Sequence, residues 1–203
     1  MTESMEEQEL KDRLRLIESM ISEGRRSTEN WGWMFVFWGV AYYIAIAWAT
    51  WGHSSLAWPV TMIVASLLSG VLASRKAGRH PETTMGRAIG AVWIGMGISL
   101  FLVLMSLAFS GRYEGHVFIA IIGGMLGGAN ATSSIILKWK MQFGCAVVWW
   151  ASAIVACFGT ESQGSIAFLA AIFVCQILFG IYGMILKSHK RSARQRPEGA
   201  AHA

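Results

Sequence analysis

From Ala88 to Phe109 the chain reads AIGAVWIGMGISLFLVLMSLAF, 22 consecutive residues without an Asp, Glu, Lys or Arg. As an α-helix rising 1.5 Å per residue, such a stretch is about 33 Å long. That matches the hydrocarbon thickness of a bilayer, about 30 Å. A charged side chain at the centre of a membrane helix costs about 2.5–3.5 kcal/mol. A run this long and this free of charge therefore reads as a membrane span.

Five more runs share the pattern. The six are predicted at residues 32–51, 56–73, 88–109, 117–137, 143–158 and 166–186. Charge is expelled to the segments between and around them, which explains why only 14% of the 203 residues are charged while 54% are hydrophobic. A soluble domain spreads about 25% charged residues over its whole surface. The expected fold is thus all-α: a six-helix transmembrane bundle (residues 31–187) preceded by a cytoplasmic amphipathic helix (residues 1–30). It ends in a basic cytoplasmic tail, residues 188–203, that is expected to be disordered.

Orientation is read from the basic residues. Five lie in the N-terminal segment (Lys11, Arg13, Arg15, Arg25, Arg26), four between the second and third spans, two between the fourth and fifth, and five in the tail. Cytoplasmic loops are enriched in Lys and Arg. Six spans with both termini inside place sixteen of the 17 basic residues on that side, as expected for a multi-pass protein of the inner (plasma) membrane. The net charge of +5 accordingly belongs to lipid-facing flanks and not to a nucleic-acid surface. Tryptophans fit the same frame, with Trp31, Trp33 and Trp139 at inner boundaries and Trp51 and Trp58 at outer ones.

The N-terminal segment carries Leu10, Leu14, Ile17 and Ile21 in 4-3-4 spacing, one apolar stripe on a helix. Ser4 and Glu7 have capping-box spacing. With Arg25 and Arg26 closing it, this helix is expected to meet the lipid surface, a cytoplasmic regulatory protein or a second copy of itself.

Three of the spans align without gaps at Ile63–Gly70, Ile121–Gly128 and Phe173–Gly180, and the alternate spans carry Trp38, Trp93 and Trp149 or Trp150. This suggests three helical hairpins in series, each offering its glycine (Gly70, Gly128, Gly180) to the interior. The fourth span holds two overlapping GxxxG pairs, Gly123/Gly127 and Gly124/Gly128, the small-residue spacing that lets helices approach closely in lipid. Asn130 and Ser134 follow on one face. A carboxamide in hydrocarbon needs a partner, so Asn130, Ser134 and Gln176 are the candidate ligand-binding residues, either hydrogen-bonded across helices or lining a small polar cavity.

Catalytic patterns are missing from the sequence: no Ser/His/Asp set, nucleotide loop or HExxH occurs. Cys145, Cys157 and Cys175 all fall within apolar runs without metal-ligand spacing. His53, His116, Glu114 and Glu161 are scattered over predicted outer loops. No cofactor or metal is expected, and no enzyme. The expected role is sensing or scaffolding through the cytoplasmic helix. The alternative is a small transporter or channel component with a polar path near Asn130.

The junction Met20-Ile21, Arg25-Arg26-Ser27 and Trp33-Met34-Phe35-Val36-Phe37-Trp38-Gly39 resembles a group of small, uncharacterised bacterial multi-span proteins that open with the same helix-to-membrane pattern. The likeness covers about thirty residues, Leu10 to Gly39, and brings no binding residues with it. Such proteins look like neighbours of small winged-helix regulators, which implies a signalling or stress role.

Overall fold

The computed structural model describes residues 2–30, 32–54, 56–77, 84–111 and 114–200. They form helices α1 (Thr2–Asn30), α2 (Gly32–Gly52), α3 (Ala57–Ala77), α4 (Thr84–Phe109), α5 (Gly115–Leu137), α6 (Lys140–Phe158), α7 (Glu161–Ile172) and α8 (Phe179–Ala200). A π-helical segment, Phe173–Leu178, joins α7 to α8 in one continuous rod. Among the described residues, six stretches are long and apolar enough to cross a membrane: Gly32–Gly52, Ala57–Arg75, Thr84–Leu107, Gly115–Leu137, Lys140–Phe158 and Glu161–His189. The chain is a multi-pass membrane protein.

Several of the expected limits move, with α3 running on to Ala77, α4 starting at Thr84 and α6 at Lys140. The last span begins at Glu161 because Thr160 and Gln163 form a reciprocal capping box: the Gln163 N–H donates to Thr160 Oγ1 at 3.3 Å and the Thr160 N–H to Gln163 Oε1 at 2.9 Å. The tail expected to be disordered is instead helical through Ala200. A span already supplies the costly helix nucleus, and Lys, Arg, Ala and Gln then extend it readily. Trp31, Arg112 and residues 201–203 lie outside the described residues, as do the side chains of Ser4, Arg25 and Arg26.

Helix α5 is the hub, with more than half of its span buried, whereas α4 buries only Ile89 among its described side chains. Exposed apolar side chains such as Leu67, Leu102 and Ile154 suit contact with lipid tails. Two close crossings hold the core. In the first, α5 lies on α6: a Cβ added at Gly123 would sit 2.8 Å from the Trp149 carbonyl oxygen, and one at Gly127 would overlap the Trp150 ring. In the second, α2 lies on α8: a Cβ at Gly180 would sit 2.7 Å from the Gly32 carbonyl oxygen, and one at Gly32 would sit 2.8 Å from the Gly180 carbonyl oxygen. Gly39 extends this crossing onto Gln176 and Ile177.

The remaining glycines expected to pack do not. A Cβ added at Gly70, Gly124 or Gly128 would meet nothing within 4 Å. Gly124 and Gly128 lie one residue round the helix from Gly123 and Gly127, so their Cβ positions face away from α6, although the Gly124 carbonyl accepts from Trp150 Nε1 at 3.3 Å. The three aligned glycines therefore occupy different settings, Gly70 and Gly128 open and Gly180 packed, and a shared inward role is not seen.

Aromatic rings fill the interior. At the end that carries α1, Trp93, Phe35, Phe179 and Trp139 form a chain with centroid spacings of 5.7, 5.2 and 5.1 Å. Toward the opposite end, Tyr42, Trp58, Phe118, Phe168 and Trp149 follow at 4.6 to 6.4 Å. Trp58 and Trp139, at helix ends, turn their rings onto neighbouring rings. Edge-to-face packing adds to the area these rings bury.

Candidate functional site

The α5–α6 turn sets the levels of the interior. Lys138 adopts the left-handed conformation (φ 48°, ψ 43°) that ends α5, and Trp139 leads into α6. The Ser134 hydroxyl donates to the Trp139 carbonyl at 3.0 Å, so it closes this turn and is not turned toward a ligand. From there the helices run antiparallel, with Gly123 against Trp149 and Ser152. That register puts Ser133 level with Gln142, and Asn130 level with Cys145 and Ala146. The Cys175 thiol donates to the Cys145 carbonyl at 3.4 Å, while Gln176 of the π-helical segment packs at Gly39 of α2.

These residues are polar and buried. Asn130, Ser133, Gln142 and Gln176 are all at most 4% exposed. The Asn130 amide donates to the Leu126 carbonyl at 2.9 Å within its own helix, not across helices. Among the described residues, Asn130 Oδ1, Ser133 Oγ, both Gln142 amide atoms and Gln176 Oε1 have no hydrogen-bond partner. Each such atom costs about 1–3 kcal/mol unless something supplies the bond. These atoms are carbonyl oxygens together with N–H and O–H donors, and none is charged.

Of the predicted trio, Asn130 and Gln176 are both buried, Gln176 against Gly39 of α2, while Ser134 is engaged elsewhere. Ser133 and Gln142 were not anticipated. Gln142 precedes the predicted start of its span, yet Gln142, Cys145, Trp149, Ser152 and Ala156 form one buried face at helical spacing. Extending that face one turn back from Cys145 would have found it. The π-helical turn has no clear mark in the sequence; such turns insert one extra residue and recur at functional sites.

A second feature is a cleft of about 420 Å³ at the opposite end, lined by Glu114, Gly115, His116, Ala156, Cys157, Gly159 and Glu161. His116 Nε2 lies 3.2 Å from Glu114 Oε2. His53 is not among its lining residues, and no three His, Cys, Asp or Glu side chains among the described residues converge as metal ligands.

The third is α1. Its side chains Leu10, Leu14 and Ile17 stand exposed, Ile21 is half-buried, and Gly24 is buried. A Cβ at Gly24 would meet Met85 at 2.5 Å and Leu137 at 2.9 Å, so the inner end of α1 seats on α4 and α5. Residues 10, 14, 17, 21 and 24 lie on one side of a 3.6-residue helix. The face covered at Gly24 therefore continues uncovered for the rest of the stripe. Lys11–Glu7 at 2.6 Å and Arg13–Glu9 at 2.5 Å brace the other faces.

Comparison with known proteins yields no relative: no family model matches the chain, and neither a curated protein nor a solved structure does.

Proposed function

We propose that the protein is a non-enzymatic membrane scaffold or sensor of the inner membrane. It displays α1 on the cytoplasmic side, where a partner docks on Leu10, Leu14 and Ile17. The observation that carries this reading is a contrast: rings pack the bundle interior, while an apolar stripe is held out in the open. Burying such a stripe is favourable by roughly 25 cal/mol per Å² of apolar surface removed from water. The likeness of the α1–α2 junction to a group of bacterial multi-span proteins points the same way.

The unpartnered amides favour a second reading, a transporter or channel component whose path passes Asn130. Against it, Trp58, Phe118, Phe168 and Trp149 pack between that layer and the far cleft. Proteoliposomes separate the two. On the scaffold reading, uptake of ions, water and small neutral solutes equals that of empty liposomes. Flux that Asn130→Leu abolishes would instead establish the path.

A further inference from the structure

We propose that the occupant of the α1 stripe is α1 of a second copy of this chain, joined to it as a short coiled coil. The inference rests on the scaffold reading above and names its partner.

Spacing is the first ground. Leu10, Leu14, Ile17 and Ile21 recur at 4-3-4, the d and a positions of a heptad. Leu10 is 58% exposed, Leu14 53% and Ile17 52%. The next d position is Gly24, where the chain's own Met85 and Leu137 cover the helix. The seam is thus taken by the bundle at its inner end and left free for about two heptads beyond it.

Charge is the second ground. The positions flanking the seam carry Lys11, Arg13 and Glu18. Side by side in the same direction, two α1 helices put Arg13 opposite Glu18 of the partner subunit. In opposite directions they put Lys11 opposite Glu18 of the partner subunit. Both arrangements join unlike charges, which is how flanking positions select a coiled-coil partner. The in-helix pairs of Lys11 and Arg13 are exposed and contribute little, so exchanging them costs little.

The lipid surface suits this helix poorly. Between Thr2 and Gly24 there are seven acidic residues and three basic ones. A helix that lies on an anionic leaflet carries a Lys- and Arg-rich polar face. A two-heptad seam is weak for free peptides, but anchoring in one bilayer raises the effective concentration of one copy near another. The membrane also presents every α1 on the same side.

The test is energy transfer between donor- and acceptor-labelled full-length chains at low density in liposomes. Wild type should transfer, and Leu14→Glu should weaken association at least tenfold with the melting temperature of the membrane domain unchanged. Glu18→Arg should also weaken it, and adding Arg13→Glu (same direction) or Lys11→Glu (opposite direction) should restore it. A monomeric wild type, transfer indifferent to Leu14→Glu, or failure of both second changes to restore it overturns the inference. Solute flux, by contrast, overturns the scaffold reading and leaves the pairing to stand or fall on its own.

Discussion

Gly180 and Gly32 let two helices meet backbone to backbone, and their worth can be set against a glycine that meets nothing. Gly180→Ala places a methyl group 2.7 Å from the Gly32 carbonyl oxygen and 3.0 Å from the Val36 amide nitrogen. Backbone cannot yield as a side-chain tip can, so overpacking should cost about 1–3 kcal/mol. Gly70→Ala adds its methyl in open space and should be neutral or stabilising, since alanine is favoured over glycine in a helix by up to about 1 kcal/mol. Thermal unfolding in a mild detergent decides, and equal shifts for the two variants would contradict the crossing. Gln142 offers the complementary case. Both of its amide atoms are buried without a partner, so Gln142→Met should raise stability by about 1 kcal/mol, because an unsatisfied polar group gives way to an apolar one of similar volume. A fall of that size would reveal that a bound molecule completes the layer.

Among the elements, α1 packs against α8 as well as α4 and α5, and Gly24 marks its tight approach to α4 and α5. Gly24→Leu cannot seat against Met85 and Leu137, so residues 20–30 should exchange their amide hydrogens faster while α5 and α6 are unaffected. Unchanged exchange would mean that α1 is held elsewhere. This also marks what the sequence made legible. The spans were readable because charge is excluded from hydrocarbon, whereas helix ends were not, since α3 runs on through Arg75 and Lys76, α4 starts before Arg87 and α6 starts at Lys140. The apolar stripe was readable because its spacing repeats. Which glycines pack was not, since Gly124 and Gly123 are alike in composition and differ only in the direction each faces once α6 is in place. The polar layer was half visible: Asn130 and Gln176 stand out in apolar runs, whereas Gln142 hides beside Lys140 and reads as loop. The crossing of α2 on α8 joins residues nearly 150 positions apart, and no local spacing signals it.

In the whole molecule, an even number of spans separates two chemically different ends. One carries α1, the α5–α6 turn and α8; the other carries the Glu114–His116–Glu161 cleft. The three cysteines report on this arrangement without added probes, because Cys145 and Cys175 are buried and Cys157 is exposed in the cleft. The basic residues cluster with α1 and α8, so both termini should face the cytoplasm and Cys157 the opposite side. A membrane-impermeant maleimide added to intact cells whose outer barrier has been opened should therefore label one cysteine per chain, and Cys157→Ser should abolish that labelling. Cys145 and Cys175 should react only after denaturation, since a thiol packed among rings and helix backbone meets neither water nor reagent. Protease added from the same outer side should spare tags at both termini. Loss of the C-terminal tag alone would require an odd span count, and loss of the N-terminal tag would move α1 and its stripe away from any cytoplasmic partner.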